Sequence, residues 1–240
     1  MKKVNFAIAG VALAVSSSLA AFTASPMLVF IQAGNNVQDI TISNPDADTA
    51  YVAVTPSLIK DPADAKSAAV VYKQGMNPQD FGLMVSPLKI AVPANADRKV
   101  RLVNLDPNPK QDMYYTLSIM NVQSPLAAHT EEKTAVSDFG LNYGYTVKVM
   151  VLPAKPLPVV NAQRSGNAVT ISNTGNSYIS LRNGELCSTS GSSCSPLPEG
   201  SSYHVLYAGG TWKIATSKPG VVKFTGVYGN QTLTMPVQSN

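Results

Sequence analysis

Residues 139–148 read Phe139-Gly140-Leu141-Asn142-Tyr143-Gly144-Tyr145-Thr146-Val147-Lys148. Large apolar side chains stand at 139, 141, 143, 145 and 147, and every residue between them is small or polar. Successive side chains of a strand point to opposite faces, so this alternation predicts a β-strand with one apolar face. Val149-Met150-Val151-Leu152-Pro153 follows directly. Two readings of the face compete. It covers the strand's own core, or its side chains are offered to another protein.

The N-terminus bears on which. Lys2 and Lys3 precede an apolar stretch from Val4 to Val15, and small residues close it at Ser16-Ser17-Ser18-Leu19-Ala20. A positive start, an apolar middle and a small-residue end are the parts of a secretory signal peptide, with cleavage expected after Ala20. The apolar run is shorter than the roughly 20 residues of a spanning helix. Without Lys2 and Lys3 the formal charge falls from +4 to +2. With no Lys/Arg cluster to follow phosphates, a nucleic-acid partner is not expected. The two cysteines, Cys187 and Cys194, enclose six residues. In an exported chain such a pair reads as a disulfide, worth about 2–3 kcal/mol by loop entropy. A zinc site would need further ligands that the neighbourhood does not supply.

Helical periodicity is nearly absent; Asp61–Tyr72 is the best candidate, read as a loop or a short turn. Strand signals are frequent, among them Val37–Ser43, Ala50–Pro56, Leu83–Ser86, Lys99–Asn104, Tyr114–Val122 and Tyr143–Leu152. Asn, Asp, Gly and Pro clusters separate them, as at Asn44-Pro45-Asp46 and Asp106-Pro107-Asn108-Pro109, which points to a β-sandwich. Pro153-Ala154-Lys155-Pro156-Leu157-Pro158 reads as a stiff connector and a boundary. A second all-β pattern follows, from Ala168–Ser172 to Gln231–Val237. Neither half repeats the other at recognisable identity. The polar connection Gln123–Asp138 is long for a sandwich, and such loops are usually functional.

Enzyme signatures are missing. There is no glycine-rich nucleotide loop, no H-E-x-x-H and no G-x-S-x-G. His129 and His204 stand alone, and Glu131-Glu132 reads as a solvated pair. No catalytic residue, metal, cofactor or small-molecule substrate is therefore expected.

Several segments together resemble the periplasmic chaperones of chaperone–usher pilus assembly, the PapD-like family. Leu83-Met84-Val85-Ser86-Pro87, Leu88-Lys89-Ile90-Ala91-Val92-Pro93 and Arg98-Lys99-Val100-Arg101-Leu102 are similar to consecutive strands of that family. Tyr114–Ile119, the long connection and strand 139–148 then follow in the family's order. Asp39–Pro45 and Val169–Asn176 resemble early strands of its first and second domains. Two positions depart from the best-known branch. Met27 stands where that branch has a basic residue, and Leu152 where it has an arginine. This pattern, with the cysteine loop, resembles the alternative branch serving class 5 and related colonisation-factor fimbriae.

The resemblance implies an all-β chain of two immunoglobulin-like β-sandwich domains joined by a Pro-rich hinge, boomerang-shaped. The divisions are a signal peptide over 1–20, an N-terminal domain over 21–153 and a C-terminal domain over 154–240. It implies that Phe139, Leu141, Tyr143, Tyr145 and Val147 form a donor strand that fills the open groove of a pilin subunit, a case of strand addition. It implies that Lys148 binds the subunit's C-terminal carboxylate; Arg101 is a weaker candidate for a second charge near that cleft. Expected partners are pilin subunits, an outer-membrane usher and, for the free protein, other copies of itself, since a greasy edge invites association. Two alternatives remain: a pilus structural subunit or secreted adhesin, and an exported carbohydrate-binding or enzyme module. The first would carry an N-terminal extension and one incomplete domain. The second would need exposed aromatics or paired carboxylates, and the single Trp212 reads as core.

Overall fold

A computed structural model describes residues 22–32, 34–64, 66–123, 143–190, 192–228 and, for the backbone alone, 231–233. Phe139, Leu141, the expected signal peptide and nearly all of Gln123–Asp138 lie outside the described residues. Among those described, no helix is long and apolar enough to cross a membrane.

Ten strands build the first sandwich: β1 Thr23–Ser25, β2 Leu28–Ile31, β3 Val37–Asn44, β4 Ala50–Ile59, β5 Ala69–Val71, β6 Leu83–Ser86, β7 Lys89–Val92, β8 Ala96–Asn104, β9 Met113–Asn121 and β10 Gly144–Val151. One sheet runs β1-β3-β8-β6; the other runs β2-β10-β9-β4-β5, with β7 also on β4. Their inner faces alternate as period 2 demands. In β8, Val100 and Leu102 are fully buried between exposed Lys99 and Arg101. Ile40, Ile42, Leu117, Ile119, Val147 and Val149 fill the space between the sheets.

Eight further strands build the second sandwich: β11 Val160–Ser165, β12 Ala168–Asn173, β13 Ile179–Cys187, β14 Cys194–Pro196, β15 His204–Leu206, β16 Thr211–Ala215, β17 Val221–Tyr228 and β18 Gln231–Leu233. The sheets are β11-β12-β16 and β14-β13-β17-β18, with β15 on β13. Cys187 and Cys194 form a disulfide across the β13–β14 pair. Trp212 packs at the edge of this core, between the rings of His204 and Phe224.

The two halves share a local signature. Thr-Ile-Ser-Asn occurs at 41–44 and again at 170–173, ending β3 and β12. Each terminal asparagine is buried and ties its turn to a neighbouring strand. Asn44 Nδ2 donates to the Asp48 and Val92 carbonyls at 2.7 and 3.0 Å. Asn173 Nδ2 donates to the Ser177 and Leu206 carbonyls at 2.7 and 3.2 Å. Each Oδ1 accepts from the backbone N–H two residues on. A side chain that caps its own turn satisfies backbone groups the sheet cannot reach.

Asp61–Tyr72 holds turns and β5 rather than a helix. The short helix α1 is Pro78–Phe81, started by Asn77, whose side chain accepts from the Gln79 N–H, with proline in the first turn.

Candidate functional site

The site is the strand that the alternation predicts, and its two ends differ. From Lys148 to Val151, β10 pairs with β9 on one side and, in parallel, with Leu28–Ile31 of β2 on the other. From Gly144 to Val147 it pairs with β9 alone. The edge of the sheet thus passes from β2 to β10 where β2 ends. The Lys148 N–H donates to the Met27 carbonyl at 3.0 Å, on the β2 side. Strand alternation turns the backbone groups of Thr146 and Gly144 the same way, onto an edge that no described strand occupies. Glycine at 144 is required by space: a Cβ there would run into the Met120 side chain and the Ile119 carbonyl.

On the inner face the residues differ by depth. Val147 is 0% exposed and belongs to the chain's own core. Its side chain is enclosed between the two sheets, deeper than the tyrosines that precede it on the same face. Tyr145 and Tyr143 are half-buried. Their rings lie 5.5 and 5.3 Å from that of Phe22, and the Phe22 N–H donates to the Tyr143 hydroxyl at 3.4 Å. Pattern in the sequence does not single out Phe22; the one available signal is that it is the first aromatic beyond the expected cleavage point.

Lys148 lies on the outer face, exposed, beside Leu28 and Thr116 in register. Two residues further, Met150 is on the same face and meets Phe30 and Tyr114 at the seam with the second sandwich. Lys148 therefore stands about 7 Å along the strand from that seam. Met27 and Leu28, each 44% exposed, flank it.

Arg101 does not join it. Arg101 lies on the outer face of the opposite sheet, and its Nε and Nη2 contact Asp39 Oδ1 and Oδ2 at 3.0 and 3.3 Å. Lys99 adds a third charge, 3.6 Å from the same carboxylate. The guanidinium hydrogen bond holds the Asp39 carboxyl below its ordinary range. Arg101 thus lies in the sheet opposite that of Lys148, with Asp39 as its partner.

This geometry has known counterparts. The crystal structure of the class 5 fimbriae chaperone CfaA superposes with a TM-score of 0.73, at 18% identity, over 92% of this chain and 99% of that one. The chain has the fimbrial-chaperone fold. A chaperone–tip adhesin complex of CFA/I fimbriae biogenesis gives a TM-score of 0.71 at 19% identity, over 92% and 99% of the two chains. The archaic CsuC–CsuE pre-assembly complex from Acinetobacter baumannii gives 0.56 at 14% identity, over 89% and 96%. The fold thus lies nearer the class 5 examples than that archaic one. A curated Escherichia coli protein, a CS1 fimbrial subunit, is 23% identical over 155 residues, 64% of this chain and 63% of that protein. The matched stretch is less than two thirds of that relative's length. No family model matches the chain.

Proposed function

We propose that the chain is a non-enzymatic periplasmic chaperone that folds and caps fimbrial subunits by donor-strand complementation and delivers them to an outer-membrane usher. The observation that carries this reading is the one-sided pairing of Gly144–Val147, which leaves this half of β10 as an edge of its sheet among the described strands. A subunit lacking a strand would add to that edge, its backbone meeting the outward groups of Gly144 and Thr146. Tyr143 and Tyr145 would enter its groove together with Phe139 and Leu141. Lys148, at the foot of the open edge, would hold the subunit's terminal carboxylate by a charge-assisted bond of about 1.5–3 kcal/mol and so fix register. Register matters because a slip of one residue turns every apolar side chain to the wrong face. The division at 153/154 is part of the same reading: the sandwiches have separate cores on either side of it.

The test is capture from the periplasm of the native organism with tagged protein. Wild type is expected to bring down an equimolar small β-rich partner. Lys148→Ala is expected to lose that partner while its circular dichroism and melting stay unchanged. Full recovery of the partner by Lys148→Ala overturns the anchor. No partner for wild type, in cells making fimbriae, overturns the chaperone reading in favour of a structural subunit or adhesin.

A further inference from the structure

The seam between the sandwiches is mostly aromatic. Tyr178 lies 5.2 Å from Tyr228 and 6.3 Å from Phe30, and Tyr114 meets Tyr207 edge-on at 4.9 Å. Leu152 fills the space beside them, 2% exposed, in the place where the resembling family's best-known branch has an arginine. Ring contacts resist separation but barely resist sliding, because they have little direction. One side of the seam also opens into a crevice of about 740 Å³, with Leu58 to Asp64 on one bank and Ala208 to Thr211 on the other. Packing alone leaves room for the two bodies to rock, the default for modest interfaces within a chain.

Asp112 supplies direction. It immediately precedes β9 and is 4% exposed. Its Oδ2 accepts from the Tyr178 N–H at 2.6 Å and from the Tyr114 hydroxyl at 2.9 Å. Its own N–H donates to the Asn176 carbonyl at 3.0 Å. Two of these bonds reach the second sandwich, from one residue of the first. Burial raises the Asp112 pKa, while the Tyr178 N–H, the Tyr114 hydroxyl and the Ser177 hydroxyl favour the charged form. The other oxygen, Oδ1, and the Tyr228 hydroxyl are both enclosed beside the Ser177 hydroxyl, with no hydrogen bond of ordinary geometry to either among the described residues. A buried polar group kept at such cost points to a role beyond adhesion of the two bodies.

We propose that Asp112 is a positioning residue that fixes the angle between the two sandwiches, and with it the width of the cleft that the chaperone reading sets beside Lys148. The link to the cleft rests on the chaperone reading; the fixed angle does not. One carboxylate grips a backbone N–H of the second sandwich and a tyrosine of the first.

The experiment measures the angle directly. Lys89→Cys and Lys213→Cys place spin labels on exposed sites of the two sandwiches, and the disulfide leaves no native thiol to compete. In Asp112→Ala the label–label distance distribution is expected to be about twofold broader than in the Asp112 parent. In Asp112→Asn it stays narrow, because the amide oxygen still accepts from Tyr178 and Tyr114. Asp112→Leu fills the same volume without an acceptor and broadens like alanine; it serves if alanine's cavity collapses the seam. A narrow distribution in both alanine and leucine variants overturns the proposal, as does equal broadening in the asparagine variant. Subunit capture in the same three variants tests the link to the cleft. Loss with alanine and rescue with asparagine support it. Unchanged capture despite a broadened angle overturns that link and leaves the chaperone reading standing on Lys148.

Discussion

The two halves of β10 carry the same alternation and do different work. In the lower half, Val149 and Val151 are at most 1% exposed and the strand is hydrogen-bonded on both sides. In the upper half, Tyr143 and Tyr145 are half-buried and the strand is bonded on one side. Val147 marks the change: its side chain is in the core, but its stretch of backbone lies above the end of β2. The difference comes from the partner, since β2 begins only at Leu28. A period-2 pattern states which face is apolar; the length of the neighbouring strand decides which edge is free.

The largest effect should come from charging the lower half. Val149→Asp would place a carboxylate between the two sheets, and the first sandwich should lose at least about 3–5 kcal/mol and fail to accumulate. Tyr145→Asp, at a half-buried site, should cost only about 1–2 kcal/mol and leave a folded protein that, on the chaperone reading, captures no subunit. Urea titration followed by tyrosine circular dichroism compares the two. Equal destabilisation would mean that the halves are one core. Proline separates the two sides of the strand's backbone. Val147→Pro removes an N–H directed at β9 and should cost about 3 kcal/mol. Thr146→Pro removes an N–H directed at the open edge, where proline is tolerated, and should melt within a few degrees of wild type while losing capture. A Thr146→Pro variant that unfolds like Val147→Pro would show that something already covers this edge.

The same contrast explains what could be read in advance. Alternation located β10 and its inner face from single residues. It also located Lys148 on the opposite face. It could not assign Val147 to the core, because depth depends on how far the opposite sheet extends. It could not pair Arg101 with Asp39: the two lie 62 residues apart, and neither residue carries a local mark of the other. The missed strands are short or polar. Thr23–Ser25, Ala69–Val71 and Cys194–Pro196 have three residues each, too few for a period, and Val160–Ser165 alternates between half-buried and exposed with little apolar content. Helix α1, four residues opened by Asn77-Pro78, is too short for a period and was not among the expectations. Nor were the paired Thr-Ile-Ser-Asn turns, whose meaning needs the buried carbonyls that the asparagines reach.

The second sandwich gives the comparison a control. Replacing Cys187 and Cys194 by serine should lower its stability by about 2–3 kcal/mol through the freed loop. Trp212, the chain's single tryptophan, reports its unfolding. Both halves of β10 lie in the other sandwich, so capture by the protein that remains folded should not change. Loss of capture at temperatures where Trp212 still reports a folded core would mean that the second sandwich shapes the edge of the first.

The smallest effect concerns pH, and its sign distinguishes a buried from an exposed carboxylate of the first sandwich. Asp112 has its pKa raised by burial. A raised carboxyl binds its proton more tightly folded than unfolded. Its contribution is therefore fully present below the ordinary carboxylate range, near pH 4, and is lost as pH rises through the folded pKa. Asp39 is the opposite case. Its pKa is lowered by Arg101, so its contribution is present above the ordinary range and is lost as pH falls through the folded value. Asp112→Asn keeps the acceptor for Tyr178 and removes the titration. Its stability, relative to wild type, should rise from acid to neutral pH, by on the order of 1 kcal/mol at most. Asp39→Asn should change in the reverse direction and by less, because its ion pair is solvated. Parallel pH profiles for Asp112→Asn and wild type would mean that the carboxylate enters the seam already charged, held by Tyr178, Tyr114 and Ser177 strongly enough to cancel the cost of burial.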